Sequence, residues 1–146
     1  MREYNGKIYV EKAPHDVNEL LEIVKILRGP NGCSWDGAQT LDSMKTCLIN
    51  ESQEVIDAID KKDYENLCEE LGDLLLQVVM NAEIASETDK FDFSAVVQTV
   101  CEKLIRRHPH VFGDVKRPNT PEESLALWKS VKQKEKEEKS KKTPEK

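Results

Sequence analysis

The chain of 146 residues is 38% hydrophobic, 34% charged and 5% aromatic, the proportions of one globular domain with an aliphatic core. Its net charge of −6 argues against a general affinity for nucleic acid or anionic membrane, and no apolar run nears the ~18 residues of a membrane span. The first dozen residues lack the apolar stretch of a secretory signal, so the expected setting is the cytoplasm, with Cys33, Cys47, Cys68 and Cys101 as reduced, mostly buried thiols.

Residues 1–15 show weak alternation at Tyr4, Ile8 and Val10 and are expected to form an irregular arm. Asp16, with Glu19 three residues on, resembles a capping box, and Val17, Leu20, Leu21, Val24 and Leu27 recur at helical spacing up to Arg28. Three glycines and a proline in 29–38 end that helix and predict a loop carrying Trp35. Thr40 or Asp42 caps a second helix, to about Asp60, through Met44, Cys47, Leu48, Val55, Ala58 and Ile59. A third helix runs from about Tyr64 to Glu87; its segment 74–80 is apolar on more than one face, which requires cover from the bundle or from a second subunit. Asp92 or Ser94 opens a fourth helix that stops before Pro109, and a second long loop follows over His108 to Asn119. Thr120, Pro121 and Glu123 have the chemistry of a helix start, and the fifth helix is expected to fray beyond about Glu138.

The predicted fold class is therefore all-α, a bundle of four to five helices with no repeat and no convincing β-hairpin. The expected organisation is an arm over 1–15, one domain over 16–132 and a charged tail over 133–146. From Lys129 to Lys146, eight lysines against four glutamates make a surplus of four positive charges, which leaves −10 on residues 1 to 128. Acidity of that size is either solvated surface or carboxylates gathered for divalent cations.

For two pairs, position brings the second reading level with the first. On a helical wheel with Cys47 at zero, Glu51 falls at about 40° and Glu54 at about −20°, on the stripe that packs the core. Glu70 and Asp73 repeat the same spacing on the third helix, and Gly72 between them suggests close approach by a backbone or ligand. Because the two helices are joined by a short turn, all four carboxylates can face one pocket. Hard oxygen ligands so arranged suit Mg²⁺ or Mn²⁺, against the bland alternative of surface ion pairs. A di-iron centre is disfavoured because no Glu-x-x-His occurs. His108 and His110 fit capping or packing better than metal ligation, and His15 has no context. Lys103, Arg106 and Arg107 either complement the end of their helix or bind phosphate. Trp128 and Lys132, four residues apart, form either an aromatic and cationic patch or a core tryptophan beside a solvated lysine. Trp35 either plugs the bundle end or lies against a base.

Several separate motifs also occur in a familiar order: Cys33-Ser34-Trp35-Asp36 with Gln39-Thr40, Glu51-x-x-Glu54, Glu69-Glu70-Leu71-Gly72-Asp73-Leu74-Leu75, and the run from Lys103 to Phe112. From about Leu20 to Lys132 the chain resembles the MazG family of nucleoside triphosphate pyrophosphohydrolases, in a single-domain form. The resemblance implies an all-α homodimer or higher oligomer that holds Mg²⁺, with Mn²⁺ as a substitute, through Glu51, Glu54, Glu70 and Asp73. It also implies hydrolysis of nucleoside triphosphates to monophosphate and pyrophosphate, in a house-cleaning role for the nucleotide pool. Lys103, Arg107, Trp128 and Lys132 match positions associated with substrate binding; Trp35 is a further candidate contact and Glu54 the candidate general base. Asn50, Ser34 and Met80-Asn81 stand where the family usually has an acid, a proline and Phe-His. The competing expectation is a helical nucleotide-binding or assembly module without turnover.

Overall fold

A computed structural model describes residues 2–142, apart from the Lys142 side chain, as seven helices and one short hairpin. They fall into two compact units that divide after Phe93.

The expected arm is in fact a hairpin. Strands β1 (Glu3–Tyr4) and β2 (Lys7–Ile8) pair antiparallel, Glu3 opposite Ile8 and Tyr4 opposite Lys7. Asn5 and Gly6, at φ 51° and 77°, make the tight turn that an Asn-Gly dipeptide favours. Two-residue strands are too short for alternation to register, so only that dipeptide signalled them. Helix α1 (Val17–Arg28) starts where expected: the Asp16 side chain accepts from Glu19 N at 2.9 Å. Glu19 does not close a capping box, because its carboxylate is taken by Lys7 and His15. His15 thereby gains the context its sequence position withheld.

The loop expected over 29–38 contains a further helix, α2 (Ser34–Ala38). The chain can turn there because residue 32 is glycine: a Cβ would stand 2.2 Å from Ile26 O. Arg28, whose side chain is 5% exposed, then ties α2 down. Its Nη1 donates to Gln39 O at 3.2 Å and to Asp36 O, while Nε and Nη2 donate to Glu87 at 2.7 and 2.8 Å.

Helix α3 (Met44–Lys61) follows a reciprocal turn in which Thr40 N donates to Ser43 Oγ and Ser43 N to Thr40 Oγ1. It ends at Lys62, which adopts a left-handed conformation at φ 55°. Asp63 caps α4 (Tyr64–Ser86) by accepting from Asn66 N at 3.1 Å. The two-residue connection forces α3 and α4 to run antiparallel along one another, and this pairing dominates the first unit. Its core is Val24, Met44, Val79, Met80 and Ile84, with Leu20, Leu21, Cys47, Leu76 and Phe93 packed on it. All four cysteines are free, but none is buried: Cys33 and Cys47 are half-buried and Cys68 and Cys101 exposed. Cys68 lies on a part of α4 that this small core does not cover.

In the second unit, α5 (Phe93–Arg107) stops before Pro109 as expected. The predicted loop then holds a single turn, α6 (Pro109–Phe112), with Pro109 in its first position. Helix α7 (Pro121–Lys142) opens with Thr120 Oγ1 accepting from Glu123 N and Glu123 Oε2 accepting from Asn119 N, at 3.2 and 2.8 Å. It continues through the stretch expected to fray after Glu138, as far as Lys142; residues 143–146 of the predicted tail lie outside the described residues. Among the described residues no helix is long and apolar enough to cross a membrane. The fold class is all-α, as expected.

Candidate functional site

Three of the four predicted acids come together in the first unit. Glu51 on α3 and Glu70 and Asp73 on α4 each offer an oxygen within 4.8 Å of the others, and all three are half-buried. No other group of three or more His, Cys, Asp or Glu side chains among the described residues is so placed. Glu70 Oε2 is buried without a hydrogen-bond partner, which costs free energy unless something outside the protein binds it. Burial, then the charges of Glu54 and Asp73, push the Glu51 carboxyl above its ordinary value. Burial raises Glu70 as well, followed by the adjacent Glu54, Asp73 and Glu69. An oxygen-only donor set whose members disfavour one another's ionisation fits a hard dication: the cation removes the repulsion and satisfies the orphaned oxygen.

Glu54 departs from the expected wheel position. It stands beside Glu70 but is exposed, outside the trio. The buried residues Met44, Val55 and Ala58 centre the core stripe of α3 near 50° on the wheel, so Glu51 lies inside it and Glu54 at its edge. At Gly72 an added Cβ would meet no atom within 4 Å, so the chain itself makes no close approach there. Trp35 is 59% exposed on α2 and therefore plugs nothing; its carbonyl accepts from Gln39 Nε2 at 2.9 Å.

The predicted cations and Trp128 come together in the second unit. The Arg107 guanidinium lies 5.0 Å and Lys132 Nζ 5.2 Å from the centroid of the Trp128 ring, so both cations use its π-face. Lys103, Arg106 and Arg107 line a groove of about 450 Å³ together with Glu102, Glu138 and Glu135, and both arginines are bonded to Glu135. Glu135 is a residue that sequence reasoning missed; its signal is the spacing Trp128, Lys132, Glu135, which puts all three on one face of α7. His108 Nδ1 donates to Leu104 O at 2.6 Å and so caps α5, as expected. His110 tilts against it, ring centroids 5.7 Å apart, and neither histidine joins a group with metal-ligating geometry among the described residues.

The first unit thus carries a paired-helix carboxylate cluster, and the second a groove with basic side chains, one of which, Arg107, also lies over the Trp128 ring. Residues 39–112 match the MazG nucleotide pyrophosphohydrolase domain. The nucleoside triphosphate pyrophosphohydrolase/pyrophosphatase MazG of Thermotoga maritima is 50% identical over 118 residues, 81% of this chain and 44% of that protein. The nucleoside triphosphate pyrophosphohydrolase of Escherichia coli K12 is 42% identical over 127 residues, covering 86% and 48% respectively. The crystal structure of a MazG-related protein from Thermotoga maritima superposes with a TM-score of 0.66 at 32% identity, covering 80% of this chain and 99% of that one. The chain belongs to the MazG family. It spans less than half the length of the two curated relatives.

Proposed function

We propose that the chain is a Mg²⁺-dependent nucleoside triphosphate pyrophosphohydrolase, converting an NTP or dNTP and water to the monophosphate and pyrophosphate, in a house-cleaning role for the nucleotide pool. The observation that carries this is the trio of Glu51, Glu70 and Asp73 with its buried, unpartnered Glu70 oxygen. These three carboxylates would hold the cation, with Mn²⁺ as a substitute. When bound, the ion supplies charge neutralisation at the phosphates and lowers the pKa of a coordinated water.

The chain's own residues do the rest. Glu54, exposed at the rim of the cluster, is free to take the proton of the attacking water. Lys103, Arg107 and Lys132 bind phosphate oxygens, Arg107 and Lys132 being backed by Trp128. Trp35, exposed on α2, is available to lie against a nucleobase. The active form is a dimer of two copies of the chain, closed over the uncovered apolar faces of α3 and α4.

The test is incubation with Mg²⁺ and a panel of ribo-, deoxy-, methylated and deaminated triphosphates, followed by pyrophosphate and orthophosphate assays. Pyrophosphate and monophosphate should appear in equal amounts; orthophosphate alone contradicts the assignment. Asp73→Asn should remove turnover and weaken Mn²⁺ binding by at least about tenfold while leaving the helical signal intact. Nucleotide binding without turnover in the unaltered chain would mark a binding module instead.

A further inference from the structure

The cationic groove depends on an acid. Glu135 accepts from Arg106 Nε at 2.6 Å and, through its other oxygen, from Arg107 Nε and Nη2 at 3.1 and 2.8 Å. The Glu135 side chain is 15% exposed and that of Arg107 14%, so the contact is no solvated surface pair. The Arg107 guanidinium is held by two groups: Glu135 on one edge, and the Trp128 ring, over which its central carbon lies 5.0 Å from the centroid. Three of its five N–H groups, both on Nη1 and one on Nη2, make no hydrogen bond among the described residues. An acid occupying the end of the guanidinium would compete with an incoming anion. This one occupies the side and leaves the end open.

We propose that Glu135 is a positioning residue that fixes Arg107 against Trp128, so that the free end of the guanidinium is presented to the polyphosphate chain of the substrate. The inference rests on the reading of Arg107 as a phosphate-binding residue. An unrestrained arginine must lose rotamer freedom when it binds; one already clamped by two groups has lost that freedom on folding. Arg106, on the other Glu135 oxygen, keeps the acid itself in place and preserves a surplus of positive charge along the groove.

The experiment compares the unaltered chain with Glu135→Ala, Glu135→Asp and Glu135→Gln, each first checked for native helicity at the assay temperature. Inorganic tripolyphosphate binding is measured by calorimetry, and KM and kcat are measured with a Mg²⁺-triphosphate. Glu135→Asp keeps the charge but is one methylene too short; it should weaken tripolyphosphate binding about tenfold and raise KM similarly, with kcat within about threefold. Glu135→Ala should do the same, and in an Arg107→Ala background should have no further effect. A purely structural acid would lower the melting temperature and leave KM unmoved. Binding that is unchanged or tighter in Glu135→Asp and Glu135→Ala overturns the inference, as do losses that multiply in the double variant. So does an unaltered chain that binds no tripolyphosphate. If that chain binds tripolyphosphate but releases no pyrophosphate from any nucleotide, the enzymatic reading fails, and the dissociation constants still decide the role of Glu135.

Discussion

Glu135 also sets a pH dependence. Hydrogen bonds from Arg107 and then Arg106 bring its carboxyl from the ordinary 4.5 down to about 2. A carboxyl depressed by folding contributes stability that is fully present above its unfolded value and is lost as protons bind, here as pH falls from about 4.5 towards about 2. Glu135→Gln should therefore cost about 1–2 kcal/mol at pH 7, a charged hydrogen bond discounted for partial exposure. The gap from the unaltered chain should narrow steadily below pH 4.5 in urea unfolding followed by circular dichroism. A gap constant from pH 7 to pH 3 would show that ionisation of Glu135 adds no stability through its two arginines. This residue was hidden in the sequence because a run of lysines and glutamates averages to a solvated face; only spacing relative to Trp128 singles it out. Glu51, Glu70 and Asp73 were legible for the opposite reason, as acids on stripes otherwise apolar. Glu54 sits at the edge of such a stripe, where the wheel alone separates buried from exposed poorly.

At the scale of elements, α1, α3, α4, α5 and the start of α7 were readable because each carries several turns of periodic apolar residues between chemical stops: Asp16, Asp63, Pro109 and Thr120. The hairpin, α2 and α6 span too few residues for a period to show, and what holds them is tertiary. For α2 that support is Arg28, which satisfies the Asp36 and Gln39 carbonyls while its other edge binds Glu87 at the C-terminal end of α4. Nothing in residues 29–39 announces a partner at position 87. Arg28→Ala leaves Gln39 O without its guanidinium donor and Asp36 O with Gln39 N alone, while Glu87, already 42% exposed, stays hydrated; the expected cost is about 1–3 kcal/mol. The effect should be local first. Amides of Gly37 and Gln39, which donate to Cys33 O and Asp36 O, should exchange with deuterium at least about tenfold faster, while those around Val79 keep their protection. Unchanged exchange at Gly37 and Gln39 would mean that the turn of α2 stands without Arg28.

The all-α class followed from aliphatic composition and from the absence of sustained alternation, but the division after Phe93 was not legible: Phe93 belongs to the core of the first unit and yet opens α5. What the sequence did expose is an excess of apolar surface. Ile49, Ile56 and Ile59 fall within about 80° of one another on α3, on a stripe distinct from the buried one. Leu71, Leu75 and Val78 line up along α4 at spacings of four and three. Ile49 is 69% exposed and Ile56 49%, in a chain of which 34% is charged and so has ample polar residues for its surface. Such stripes on the two helices that carry the acid cluster fit a second copy of the chain, the cover that the apolar segment 74–80 already demanded. Ile56→Asp tests this without disturbing the isolated fold, because an exposed position tolerates a charge within about 0.5 kcal/mol. The unaltered chain should sediment at twice its 16.7 kDa mass and the variant at that mass, with the helical signal preserved. Loss of pyrophosphohydrolysis together with the dimer would show that the assembly is needed for activity; a monomeric unaltered chain would show that the isoleucine stripe has some other occupant.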